Sequence, residues 1–375
     1  MEILSIDSIS SINKNEWDCL VENESPLFDY EFLLCLENSS CTNLETGWQP
    51  NHFIFKKNEK INCLIPTYKK FNSNGEFVFD HGWANAYYRL GLQYYPKFLS
   101  AIPFTPVNGG RIFTNDNKAR FSESIKLLID KLETENSSSF HFNFINKQQS
   151  ERLDELGFNK RVGIQYHWVN NDYSDFDDFL SCLKSKKKKN IIKERLSIKK
   201  SNIKILHLKG DEISEEDWDF FYKCYISTID KKWSYKYLNF TFFKKLSKTL
   251  LKNKILLILA KDRNNKNIAC TLNFIGKNKL FGRYWGSTEE VPFLHFELCY
   301  YQSIDYAIKE KIKIVEAGAQ GEHKISRGYV PTFTYSNHWI KQKEMRMAIK
   351  DFLVKEEKIV NQNIEIGRAS CRERV

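Results

Sequence analysis

The stretch of this chain most able to do chemistry is Ala317-Gly318-Ala319-Gln320-Gly321-Glu322-His323-Lys324-Ile325-Ser326-Arg327-Gly328-Tyr329. Three glycines alternate with a carboxylate and an imidazole, Glu322 and His323, and with two cations, Lys324 and Arg327. An imidazole exchanges protons near neutral pH, and lysine and arginine hold anions. The preceding apolar segment, Ile312 to Glu316, reads as a strand, which places this run at the open end of a sheet, where loops carry chemistry. A solvated glycine-rich turn is the bland alternative.

Other candidates lie nearby in sequence. Arg283 and Trp285 alternate with Gly282 and Gly286 on a strand, where glycines let a bulky ligand approach the backbone; edge-strand packing is the competing account. His295 and Glu297 open a helix after a polar loop, where anions are favoured, and a capping role for Glu297 weighs equally with a chemical one. In the first half, Asp80, His81 and Trp83 follow a strand with Tyr87 and Tyr88 close behind. We expect Asp80 and Trp83 to contact a peptide or sugar and Tyr88 to join the core. The run Lys186-Lys187-Lys188-Lys189 continues into a helix over residues 186 to 202, with Ile191, Ile192 and Leu196 expected to face inward. Adjacent like charges repel unless solvent or an anion such as phosphate or RNA screens them.

The elements that must position these groups alternate between helix and strand. At 375 residues the chain exceeds one ordinary core and predicts two domains. Ser25 and Pro26 start a helix. Antiparallel strands are expected over residues 52–55, 61–68 and 76–79, helices over 122–132 and 149–156, and strands over 140–144 and 164–169. After a boundary near residue 172, a helix at 175–180 leads into the lysine run. Helices follow at 214–223 and 239–252, strands at 254–260, 267–274 and 279–285, a helix at 294–311 and a strand at 312–316. Three strands, a helix and a strand form the order of an acyltransferase-like mixed sheet, and a similar order in both halves suggests a pseudo-repeat. The expected division is 1–172, a basic helical connection at 173–202, and 203–360. Residues 365–375 change composition abruptly, resemble read-through of vector DNA, and are set aside as a non-native tail.

Composition excludes several classes. Hydrophobic residues make up 42% and aromatics 14%, which is incompatible with a disordered chain. The net charge of +10 makes an anionic partner plausible, with much of the excess in the lysine run. Nine cysteines without a C-x-x-C pair disfavour a zinc site or a disulfide framework, and no metal ligand set is expected. No P-loop, Rossmann fingerprint or Ser-His-Asp order is present. The amino terminus lacks a signal-peptide pattern and no stretch reaches the length of a membrane span, so a soluble, cytoplasmic protein is expected.

Several motifs carry a resemblance. Thr46-Gly47-Trp48-Gln49-Pro50, Phe79-Asp80-His81-Gly82-Trp83-Ala84, Tyr94-Tyr95-Pro96-Lys97 with Pro103-Phe104-Thr105-Pro106-Val107, Gly282-Arg283-Tyr284-Trp285-Gly286, His295 to Tyr301 and Glu316 to Lys324 resemble the FemAB-like family of peptidoglycan biosynthesis or recognition proteins, over roughly residues 4 to 358. The resemblance implies an α/β (α+β) fold of two tandem GNAT-like domains, each a mixed, mostly antiparallel sheet flanked by helices. It also implies acyl or aminoacyl transfer to an amine on a cell-wall-related or other anionic acceptor. The donor would be aminoacyl-tRNA or acyl-CoA, with no tightly bound cofactor. Such transfer needs a base, oxyanion donors and a grip on phosphate. Glu322 or His323 would supply the base and the amides around Gly318 and Gly321 the oxyanion donors. Lys324 and Arg327 would hold phosphate, Arg283, Trp285, His295, Glu297, Gln320, Asp80 and Trp83 would contact substrate, and Lys186, Lys187, Lys188 and Lys189 would contact the phosphates of RNA. The usual acyl-CoA turn, Gln/Arg-x-x-Gly-x-Gly/Ala, is absent. Alternatives are an acetyl-CoA-dependent N-acetyltransferase, a recognition module without catalysis, and a nucleic-acid-binding protein. The oligomeric state is not readable from the sequence.

Overall fold

Residues 1–21, 25–114, 118–231, 235–318 and 321–371 are described by a computed structural model. The chain forms two units. The first comprises Met1–Ile164 and Phe333–Asn363, the second Gln165–Thr332 and the chain from Ile364 onward. This departs from the linear division expected above. Strand Val330–Ile340 and helix Lys343–Cys371 carry the chain back into the first unit, because Ile340, Met345, Ile349 and Leu353 bury one face with Trp83, Tyr87 and Tyr94. The helix continues through residues set aside above, to Cys371.

In the first unit, Glu2–Ile6, His52–Lys57, Lys60–Ile65 and Phe113–Thr114 form an antiparallel sheet in that order. Trp48–Pro50, Tyr68–Lys70, Lys97–Ser100 and Ser139–Ile145 continue into the 335–340 part of Val330–Ile340, all antiparallel except the Lys97–Ser100 and Ser139–Ile145 pair. Helix Lys118–Thr134 buries Phe121, Ile125, Leu128 and Leu132, a helical stripe, against Phe53, Phe98 and Phe140.

Residues 76–79 do not form the expected strand. Phe77 takes a left-handed backbone (φ 58°), and Phe77 and Phe79 face solvent while Glu76 turns inward to a lysine. The alternation that looked like a strand comes from a loop held by one buried charge.

In the second unit the strand order is Lys204–Lys209, Ile255–Lys261, Asn267–Ile275, Lys279–Ser287, Ile314–Glu316 and the end of Asn159–Val169. All pairs are antiparallel except Lys279–Ser287 with Ile314–Glu316, whose parallel pairing requires the helical crossover between them. Ile255 to Ala260 are buried on both faces, so helices cover both sides of this sheet. On one side, helix Glu215–Lys231 buries Trp218, Phe221, Cys224 and Tyr225, with Phe221 and Phe243 rings 5.0 Å apart. The expected helix at 239–252 is two pieces, Phe240–Leu246 and a 3-10 turn at Leu250–Lys254.

The crossover is not a regular α-helix. Leu294–Phe296 is followed by a π turn, Glu297–Tyr301, and then α-helix Gln302–Lys309. Such one-turn widenings re-aim side chains and recur at functional sites.

Candidate functional site

Strand Ile314–Glu316 lies inside the second unit's sheet, so the chain leaves its end at a fixed position. Gly318 and Gly321 then turn the backbone through left-handed conformations (φ 80° and 116°) into a 3-10 helix, Glu322–Arg327. A Cβ on Gly321 would lie 2.4 Å from the His323 ring, so glycine is what lets the imidazole fold against the loop.

The loop and the π turn are joined by rings. His323 Nε2 lies 2.9 Å from the Tyr300 hydroxyl, and its ring packs on Phe296 and Tyr300. Tyr300 packs against His295, and His295 against Trp285, with ring centres 5.5 and 5.2 Å apart. The fold therefore gathers Trp285, His295 and His323 into one aromatic line. Partial burial and the cations Arg327 and Lys324 lower the His323 pKa, which keeps its imidazole neutral at physiological pH.

Lys324 is buried, and its Nζ donates to the Gly318 carbonyl at 2.8 Å. Burial lowers its ammonium to about 8, so a substantial neutral-amine fraction is available just above neutral pH. The sequence marked Lys324 as an anion clamp; its surroundings suit proton transfer equally well.

Arg327 is committed elsewhere. Its Nη2 donates to Glu194 at 2.7 Å, its Nη1 to the His323 carbonyl at 2.9 Å and the Ser326 hydroxyl at 3.1 Å, and its guanidinium lies 3.4 Å from the Phe296 ring centre. Tyr301 donates a hydrogen bond to the same Glu194 carboxylate. As placed, Arg327 ties the loop to the lysine helix, Ser185–Lys200, and acts on the site by holding it in position.

A carboxylate and imidazole that the sequence did not single out lie at the foot of the loop. Glu316 and His167 are cross-strand partners, both buried. Glu316 Oε1 accepts from Lys279 at 2.8 Å, while its Oε2 is buried without a partner. Burial lowers the His167 pKa against the pull of Glu316. Nothing in the spacing shows the pair, because the two residues meet only through strand register.

The remaining candidates divide. Glu297 is buried in the π turn, accepts from Gln302 at 2.7 Å and lies 3.3 Å from Arg195; burial raises its pKa against the Arg195 charge. It is no helix cap. Arg283 is the extra residue of a bulge between the Leu272–Tyr284 and Asn273–Gly282 pairs, and is half-buried. Gly286, read as room for a ligand, instead admits a helix: a Cβ there would lie 1.9 Å from the Cys224 carbonyl oxygen. Gln320 and the Glu322 side chain lie outside the described residues.

On the lysine helix, Lys186 and Lys189 are exposed and Lys188 half-buried, while Lys187 donates to the Ile325 carbonyl at 3.0 Å, binding helix to loop. Ile191 and Ile198 face the core, but Ile192 and Leu196, expected inward, are open to solvent because the apolar face is narrower than the spacing suggested.

Asp80 and Trp83 belong to the first unit and are buried, whereas Tyr88, expected in the core, is 83% exposed. Asp80 closes an internal charge cluster. Lys97 donates to Asp80, to Glu76 at 2.8 Å and to Ser73 at 2.9 Å, and Tyr94 donates to Asp80 at 2.6 Å. Burial disfavours charge on all of them: Glu76 is pushed up to about 7 and neighbouring Lys70 down to about 6. For Asp80 the Lys97 charge overrides burial and holds the carboxyl well below the usual range. His141 and His338, with Nδ1 atoms 2.7 Å apart, are kept neutral by burial, His141 at about 3.

No group of three or more metal-ligating side chains, and no helix long and apolar enough to cross a membrane, occurs among the described residues.

The fold is a mixed α/β architecture of two units. The FemAB-like family model, described by peptidoglycan biosynthesis and recognition, matches residues 8–371, and the chain belongs to that family. No curated protein matches the chain in sequence. Among solved structures, FemX is 12% identical, with 93% of this chain and 100% of that chain covered and a TM-score of 0.57. L-PGS from Bacillus licheniformis is 10% identical, with 85% and 95% covered and a TM-score of 0.51. The C-terminal domain of a putative lysylphosphatidylglycerol synthetase from Agrobacterium fabrum is 8% identical, with 92% and 97% covered and a TM-score of 0.54. At these identities the likeness concerns the fold alone, an α/β architecture shared over nearly the whole chain.

Proposed function

We propose that this protein is an acyltransferase that moves an aminoacyl or acyl group onto an amine of an anionic, cell-wall-related acceptor. One observation carries the proposal: Lys324, buried with its ammonium lowered to about 8, adjoins the neutral His323–Tyr300 pair in a loop fixed at a strand end. In the reaction the acceptor amine attacks the carbonyl carbon of an ester or thioester. A C–N bond forms, the C–O or C–S bond breaks, and the attacking nitrogen gives up a proton. His323 or the Lys324 amine takes that proton, and loop amides near Gly318 and Gly321 face the developing oxyanion. Lys279 and Arg327 hold the Glu316 carboxylate and the loop in place.

Membership of a family named for peptidoglycan biosynthesis supports the acceptor class, and a fold shared with a putative lysylphosphatidylglycerol synthetase supports an aminoacyl donor. Lys186, Lys188 and Lys189 would meet the donor's RNA phosphates, which favours aminoacyl-tRNA over acyl-CoA. The test is mass spectrometry of a muropeptide acceptor incubated with the protein and either charged tRNA or acyl-CoA. An aminoacyl mass increment on the acceptor amine, dependent on charged tRNA, is expected. An acyl increment dependent on acyl-CoA would move the donor to coenzyme A, and no increment with either donor would overturn the proposal.

A further inference from the structure

Beside the lysine helix the second unit holds a cavity of about 420 Å³, lined by neither His323 nor Lys324 and within the size range of small-ligand pockets. Its walls are apolar: Phe176 and Leu180 from helix Phe176–Ser181, Ile192 and Leu196 from the lysine helix, and Ile205 from the edge strand. Ile192 and Leu196 are the two aliphatic residues that this heavily charged helix leaves 37% and 48% exposed, and both open onto the cavity. The floor has a different character. Glu297 lines it at 3% exposure, and although its Oε1 receives Gln302, its Oε2 is buried with no partner.

A buried carboxylate oxygen without a donor is costly, and a ligand that supplies one recovers that cost. The charge at the floor specifies which donor. Arg195 lies 3.3 Å from Glu297 and donates to Asp305 at 2.6 Å, so one guanidinium faces two carboxylates and a negative charge remains in excess. At the rim Asp177 and Lys199 offset each other.

We propose that this cavity is a binding site for a small molecule carrying a primary ammonium on an apolar chain or ring, with the ammonium meeting Glu297 and the apolar body lying between Leu180, Ile192, Leu196 and Ile205. The assignment is independent of the transferase proposal, because its test reads binding alone.

The test is titration calorimetry of the full chain with n-octylammonium, below its micellar concentration, against octan-1-ol and octanoate of the same chain length. The ammonium should bind, octanol about tenfold or more weakly, and octanoate not measurably, as expected for a charge-assisted hydrogen bond at the floor. Glu297→Gln should weaken octylammonium about tenfold while leaving octanol unchanged. Leu196→Trp fills the mouth without altering a charge and should abolish binding of both. If Glu297→Gln does not fold, Leu196→Trp and the ammonium-to-octanoate contrast decide the question. Equal affinity for octylammonium and octanoate, no octylammonium binding at millimolar concentration, or binding unchanged in Leu196→Trp would overturn the proposal.

Discussion

Lys324 shows how little of a residue's chemistry its type conveys. In the sequence it is one cation among many; in the structure burial brings its ammonium down to about 8. If the Lys324 amine takes the proton, transfer should rise with pH through about 8 and level off above it. Lys324→Arg, permanently charged, should lose that rise, which an initial-rate pH profile measures. The same shift makes a stability prediction. The unfolded lysine binds a proton that the folded one releases between about 8 and the ordinary lysine range, so stability should increase with pH across that window, and Lys324→Met should flatten the increase in urea titrations at several pH values. His323 was legible as chemistry because imidazole beside carboxylate is visible in one line of sequence. Glu316 with His167, and Arg327 with Glu194, were not legible, since their meeting depends on strand register and on a helix placed more than a hundred positions away.

The elements were largely readable from periodicity. The lysine helix, the three antiparallel strands and the crossover follow their apolar spacing, and the departures have local causes. Residues 76–79 alternate like a strand because Glu76 answers a buried lysine, and the crossover widens into a π turn that no spacing rule announces. Strand Val330–Ile340 is not legible because its buried positions include the polar Thr334, Ser336, Asn337 and His338, which break the apolar alternation. The lysine helix has two separable roles. Neutralising Lys186, Lys188 and Lys189 to Gln should reduce the salt dependence of RNA binding, lowering the log–log slope by roughly 2 to 3, as filter binding at several salt concentrations will show. An unchanged slope would remove RNA from the account. Lys187→Gln should behave differently, lowering transfer more than RNA affinity, because that side chain holds the Ile325 carbonyl of the loop.

At the scale of the molecule, the two-unit fold and its family were legible from long motifs, but what those motifs do was not. Phe79 to Ala84, expected to rim a binding surface, instead brings Asp80 and Trp83 into an interior where Lys97 meets two carboxylates. Asp80→Asn leaves the buried Lys97 ammonium with Glu76 alone, a carboxylate whose own charge burial disfavours, so it should destabilise the protein by about 3 kcal/mol in urea unfolding. Because the Asp80 carboxyl is held below its ordinary value, its contribution is present above about pH 3.9 and is lost as pH falls through the lower folded value. Acid titration of Asp80→Asn should therefore lack that loss.

The central claim is that the 317–329 loop performs the transfer, and single-turnover transfer by Lys324→Met and His323→Ala tests it most directly. The account predicts that the variant lacking the base transfers about 10²- to 10⁴-fold more slowly while donor affinity and folding are retained. Transfer at the unaltered rate by both variants would contradict it.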